Sequence, residues 1–165
     1  NHAAFKGLLF LNAGAIEYTL GTRDLREMGG LGKSMPATSA TSFVASMSIS
    51  GIPPFNGFFS KLIIIIAAIM ARFYFLAFLA VLVSIITLAS FLKFQRYAFY
   101  NKEEGKGERG IKEVPFPMVF SMVVMSLLCI ILSLLAFPGI RDAVLAPAAE
   151  ILTDPAKYSK IVIGY

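Results

Sequence analysis

The sequence predicts an all-α integral membrane protein with four transmembrane segments, the second of them a broken helix. Three observations predict it. Hydrophobic residues make up 57% of the 165 residues and charged residues only 15%, whereas soluble domains carry about 25% charged residues. The apolar residues fall in blocks longer than the core helix of a water-soluble domain needs. One block is interrupted by two adjacent prolines, Pro53 and Pro54, each of which removes a backbone donor and clashes with the preceding turn.

The first segment spans residues 1–20, with its apolar run beginning at Ala3. The chain opens on Asn1 with no charged leader, so this run does not read as a signal peptide, and the chain is expected to be the C-terminal piece of something longer. Residues 21–36 are polar and rich in glycine, hence a loop. Within it, Gly29-Gly30-Leu31-Gly32-Lys33 lacks the spacing of a phosphate-binding loop and follows no strand.

The second segment, 37–71, is too long for one straight span. As a single helix it would reach about 52 Å, against a hydrocarbon core of about 30 Å. The run Gly51-Ile52-Pro53-Pro54-Phe55-Asn56-Gly57 divides it into half-helices near 37–50 and 57–71 joined by unwound backbone. The third segment covers 73–97 and the fourth 116–137. Between them the linker 98–115 is dense in charge and is expected in water. The tail 138–165 is placed outside, with a short amphipathic helix expected at 140–152 lying at the interface.

The net charge of +5 comes from cations in the loops rather than from a continuous basic face, so it points to orientation in the membrane and not to nucleic acid. With four spans the 21–36 and 98–115 loops share one side. With Arg96 at its edge, that side holds eight Lys and Arg against four on the other (Arg72, Arg141, Lys157 and Lys160), which makes it cytoplasmic. Cys129, the single cysteine, lies in an apolar run and has no partner for a disulfide or a thiolate metal site.

Unwound backbone inside a membrane is tolerated where protein buries it or where it lines a hydrated cavity, and broken helices recur at ion and substrate sites. The candidate helix break is Gly51, Pro53, Pro54, Asn56 and Gly57. Just past it stands Lys61, at a depth where a lysine costs about 2.5–3.5 kcal/mol on insertion scales. Counted from the cytoplasmic end of segment one, Lys6 lies about 21 Å deep, at a depth comparable to Lys61. His2 sits one turn away at i+4 spacing on the same face, and histidine titrates near neutral pH. Lys61, Lys6 and His2 are therefore the candidate ion-translocating residues. Glu17 and Lys93 lie near helix ends, where an interfacial role suffices. The hydroxyls of 38–50 (Thr38, Ser39, Thr41, Ser42, Ser46, Ser48, Ser50) read first as close-packing residues, with a wet path as the alternative.

Three motifs in order, His2-Ala3-Ala4-Phe5-Lys6-Gly7-Leu8-Leu9-Phe10-Leu11, Met28-Gly29-Gly30-Leu31 and Gly51 through Lys61, resemble the antiporter-like membrane subunits of respiratory complex I, Mrp-type sodium/proton antiporters and membrane-bound hydrogenases. The resemblance implies that the first segment is like the eleventh helix of the usual fourteen and the second like the broken twelfth. It also implies that Lys61 takes the place of the lysine at that break, and that Lys6 and His2 belong to the central hydrophilic axis. The family's first half, with its glutamate and lysine, is absent from these residues. The function this implies is a contribution to proton or sodium translocation in a complex I-related, redox-driven complex. The alternatives are a module of a multisubunit Na⁺/H⁺ antiporter without a redox partner and a non-conducting structural subunit. No cofactor is expected in this chain, and iron–sulfur or other redox centres would belong to partner subunits. The expected partners are those membrane subunits, the lipid bilayer and H⁺ or Na⁺.

Overall fold

The computed structural model describes residues 1–101, 110–135, 137, 139–140 and 142–143. The described residues are helical or looped, without strands. Residues 102–109 of the charged linker and most of the 138–165 tail, including nearly all of the amphipathic helix expected at 140–152, lie outside the described residues. Along residues 1–135 of the described chain the α-helices are α1 (His2–Leu20), α2 (Leu31–Ser34, a single turn), α3 (Pro36–Ser50), α4 (Asn56–Met70), α5 (Tyr74–Gln95) and α6 (Phe116–Leu134). A 3-10 turn, Leu25–Glu27, precedes α2, and α5 runs directly into a π-helical turn, Arg96–Tyr100.

The helix ends follow from local chemistry. Gly21 closes α1 in the left-handed region at φ 71, its N–H donating to the Glu17 carbonyl. Pro36 opens α3 at a first-turn position, where its missing donor costs nothing. At the other end of α3, Gly51 takes φ 76. Its N–H donates to the Ser48 carbonyl at 3.1 Å, and the Ile52 N–H reaches back to the Met47 carbonyl at 3.1 Å. This paired closure, the Schellman motif, ends a helix with its orphan carbonyls satisfied. The same closure ends α4, but there Arg72 holds the left-handed position at φ 62. Its N–H donates to Ile69, and that of Phe73 donates to Ala68. The turn sends α5 back along α4.

Helix α3 is the centre of the bundle, packed on α1, α5, α6 and the start of α4. Its buried face is unusual: Thr38, Ser39, Thr41, Ser42, Ser46, Ser48 and Ser50 are buried beside Ala45 and Met47. The apolar core lies around it, with Leu8 and Ile16 of α1, Leu31, Met35, Phe99, Met122 and Cys129 among its members. By contrast α4, α5 and α6 turn Ile, Leu, Val and Phe outward along most of their lengths, the pattern of helices solvated by lipid or by other membrane subunits.

Two of the four expected spans have both the length and the hydropathy to cross a membrane as continuous helices: Tyr74–Tyr100, 27 residues, and Phe116–Leu134, 19 residues. Helix α4 is apolar but short. At 15 residues each, α3 and α4 rise about 22 Å apiece, less than a hydrocarbon core of about 30 Å. Helix α1 has the length, and Lys6, Asn12 and Glu17 lower its apolar character. The linker expected wholly in water also ends differently, since its Glu113 is half-buried against the start of α3.

The loop after α1 is held by two exposed ion pairs, Arg23 to Glu17 and Arg26 to Asp24, both at 2.8 Å. Hydrogen bonds from the Arg26 side chain and backbone N–H bring the Asp24 carboxyl down to about 2 from 3.8. Because the folded-state value is the lower one, this turn keeps its full stabilisation above the ordinary value of 3.8 and loses it as pH falls toward about 2. Amide exchange at Arg26 and Glu27 should therefore stay constant between pH 7 and 4, after correction for intrinsic rates, and accelerate below that. A second expectation concerns close packing. A Cβ on Gly57 would overlap the Ser48 carbonyl oxygen, so Gly57→Ala must push α4 off α3. Overpacking of this kind costs at least about 1–3 kcal/mol, measurable as a lowered thermal aggregation temperature in detergent.

Candidate functional site

Between Ser50 and Asn56 the chain is unwound, and the residues on either side are drawn tightly together. The closeness of Gly57 to the Ser48 carbonyl brings the first turn of α4 against the last turn of α3, and the Phe5 ring of α1 packs at the same glycine. Asn1 ties the start of α1 to this joint as well. Its side-chain amide donates to the Asn56 carbonyl at 3.4 Å and to the Ser60 hydroxyl. The opening of α1 and the break thus lie at one level of the bundle.

Lys61 stands one turn into α4 and folds back across the joint. Its Nζ donates to the Ser50 carbonyl at 3.2 Å, the last residue of α3. The carbonyls of a helix C-terminus carry partial negative charge, so an ammonium there is electrostatically favoured. The stem of Lys61 passes over Gly51: a Cβ on that residue would lie 2.8 Å from Lys61 Cδ and 3.5 Å from Nζ. Glycine at this position serves two needs, the left-handed turn and the path of the lysine. Lys61 also borders two apolar clefts between α4 and α5. One, of about 230 Å³, is lined by Ser50, Gly51, Phe58 and Ser84, and the other, of about 320 Å³, by Ile64, Leu79, Val83 and Ser84. The half-buried amine accordingly has a fixed carbonyl partner and open space beside it.

The other two candidates are less engaged. Lys6 is half-buried and His2 exposed, the histidine ring standing edge-on to Phe5 with centroids 5.3 Å apart. Among the described residues no hydrogen bond or ion pair joins Lys6, His2 and Lys61. Glu17 pairs with Arg23, and the Lys93 ammonium lies 5.8 Å from the Tyr97 ring centroid. Of the break residues, Pro53 and Pro54 are exposed, Gly51 is half-buried, and Asn56 and Gly57 are buried.

Three polar residues that the sequence did not single out prove to be bonded to α3. Gln95, buried at the end of α5, donates from Nε2 to the hydroxyls of Ser42 and Ser46, each at 2.9 Å. Asn12 of α1 donates to the Leu8 carbonyl at 2.8 Å and accepts from the Thr41 hydroxyl at 2.9 Å. Glu113 caps the start of α3: Oε2 accepts from the N–H groups of Ala37 and Thr38, and Oε1 accepts from the Thr38 hydroxyl at 2.6 Å. An amide inside an otherwise apolar helix was a visible signal for Gln95 and Asn12. Glu113 offered none, because the helix that it caps lies some 75 positions away in the chain.

Residues 1–87, more than half of the chain and all of the joint, match the family described as NADH:quinone oxidoreductase/Mrp antiporter, TM. The chain belongs to this family. Among curated relatives, a Na(+)/H(+) antiporter subunit of Alkalihalophilus pseudofirmus is 37% identical over 99% of the chain and 32% of its own length. Hydrogenase-4 component B of Escherichia coli is 35% identical over 82% of the chain and 22% of its own length. Among solved structures, the Mrp complex from Dietzia sp. is matched with a TM-score of 0.77 at 28% identity, over 95% of the chain and 37% of that chain. The archaeal membrane-bound sulfane sulfur reductase is matched at 0.75 and 32% identity, over 81% of the chain and 22% of that chain. The chain thus spans little more than a third of the length of each, or less. Membership makes it a membrane protein of the antiporter-like type, and its relatives are subunits of multisubunit membrane complexes.

The Glu113 cap has a measurable consequence. In Glu113→Ala the first N–H groups of α3 lose their acceptor, a loss that costs about 1 kcal/mol. Amide exchange at Ala37 and Thr38 should speed up roughly fivefold, while exchange in the middle of α6 stays unchanged.

Proposed function

We propose that the chain is the C-terminal part of an antiporter-like subunit that moves protons or sodium ions across the membrane within a multisubunit complex, with Lys61 as its switching charge. The carrying observation is the Lys61 ammonium held on the terminal carbonyl of a broken helix, with clefts beside it. In this reading the amine alternates between that carbonyl and neighbouring water, releasing and regaining a proton as its surroundings change. Lys6 and His2, on the helix tied to the same joint by Asn1, would pass charge laterally through water. Four crossings, with α3 and α4 together making one of them, and loops 21–36 and 98–115 facing the cytoplasm, complete the arrangement.

The Mrp type is the form we favour, since the Alkalihalophilus antiporter subunit aligns over nearly the whole chain and the Dietzia Mrp complex over 95% of it. A redox-driven complex is the second reading, supported by the hydrogenase component and the sulfane sulfur reductase. There the redox centres would sit in partner subunits. Sodium-dependent proton flux in vesicles without any reductant separates the two.

Lys61→Ala in the complete subunit and complex should lower ion-coupled proton flux about 100-fold or more with assembly preserved, and Lys61→Arg, which cannot deprotonate, should fail similarly. Flux unchanged in an assembled Lys61→Ala complex would leave the chain as a structural element.

A further inference from the structure

Helix α5 and the turn that continues it are longer than a span requires, and one end differs from the rest of their surface. The 22 residues Tyr74–Gln95 rise about 33 Å, enough to cross a hydrocarbon core of about 30 Å. The π-helical turn Arg96–Tyr100 follows directly and so enters the headgroup layer. Along the span the outward face is apolar, with Ile85, Ile86 and Leu92 exposed. At the loop end that face gives way to Lys93, Arg96, Tyr97 and Tyr100, all exposed. Their spacing keeps them on one side of a helix.

The two cations have no counter-charge. Among the described residues the ion pairs are Arg23 with Glu17 and Arg26 with Asp24, and the Glu113 carboxylate is occupied by the start of α3. Lys93 and Arg96 stand in no ion pair. The Lys93 ammonium lies instead 5.8 Å from the Tyr97 ring centroid, a cation–π distance that draws it toward the loop end, the direction of the headgroups.

A snorkelling lysine needs only water at its amine. That need does not account for a guanidinium and two phenols on the same side, next to an apolar strip. Arginine binds phosphate through paired N–H groups and lysine binds it as a point charge, while a phenol hydroxyl donates to an oxygen acceptor. Two cations without carboxylates favour a headgroup of net negative charge over a zwitterionic one, whose own ammonium they repel. The opposite end of α5 offers one cation, Arg72, beside Tyr74, so the preference belongs to one face of the membrane.

We propose that the loop end of α5 binds an anionic diacyl phospholipid. Lys93 and Arg96 hold its phosphate, Tyr97 and Tyr100 supply further donors, and its acyl chains lie along Ile85, Ile86 and Leu92. The site is separate from Lys61 and does not depend on the role given to that residue.

The test uses the complete subunit in its complex, in phosphatidylcholine bilayers at fixed salt, with Cys129→Ser and no other cysteine accessible. A bimane label is placed on Ser90→Cys, an exposed position one turn before Lys93. Quenching is compared between phosphatidylglycerol and phosphatidylcholine carrying the same nitroxide near the head of one acyl chain. Each cation close to an anionic headgroup contributes about fivefold, so the anionic lipid should reach half-quenching at a mole fraction about 25-fold lower. Lys93→Gln and Arg96→Gln should each reduce that preference about fivefold, and Arg72→Gln should leave it unchanged. Equal quenching by the two lipids in the unsubstituted site, or a preference that survives both substitutions, overturns the proposal. Absence of quenching by either lipid also overturns it and assigns this face to a neighbouring subunit. Loss of the preference in excess soluble glycerol phosphate overturns it as well, since the cations would then take a free phosphate ester rather than a lipid.

Discussion

The meeting of the Lys61 ammonium with the last carbonyl of α3 organises the surrounding structure. A helix interrupted in a membrane leaves carbonyls with no intrahelical partner, and water is not freely available there to satisfy them. Here the Schellman closure at Gly51 takes up the Met47 and Ser48 carbonyls, and Lys61 takes up that of Ser50. The lysine is therefore both the cap of the half-helix before the break and a member of the half-helix after it. Any motion of its side chain changes the electrostatics of the joint.

For the lysine to reach back, the two half-helices must lie in near contact, and two glycines make that possible. Gly57 lets the α4 backbone rest on the Ser48 carbonyl, and Gly51 clears the stem of the lysine. Asn1 and Phe5 bring α1 to the same level. The elements farther away do a different job. Glu113 fixes the start of α3, and Gln95 binds its middle to α5, so that α3 is held at its start and its middle while its other end meets the unwound segment.

The polar character of α3 also separates this bundle from an ordinary membrane hairpin. In lipid, association of helices gains little from burying apolar surface, and small or hydroxyl-bearing faces allow the close approach that replaces it. Helices α4, α5 and α6 show the complementary composition, apolar outward along most of their lengths. Their exposed faces are suited to lipid and to the neighbouring subunits found in the complexes of relatives.

Sequence alone determined what depends on a residue and its immediate neighbours. Pro53 and Pro54 cannot continue a helix and Gly51 readily leaves one, so the break was legible, as were the long apolar blocks of α5 and α6. The presence of a lysine beside that break was legible too. Tertiary structure decided what depends on residues distant in the chain. That Lys61 turns back onto Ser50, that Gly57 is required by a carbonyl of another helix, and that Gln95 and Glu113 end on α3 are matters of packing and of paired donors and acceptors. Local backbone preference is written in the order of the residues, whereas the choice of partner is made only when the helices meet.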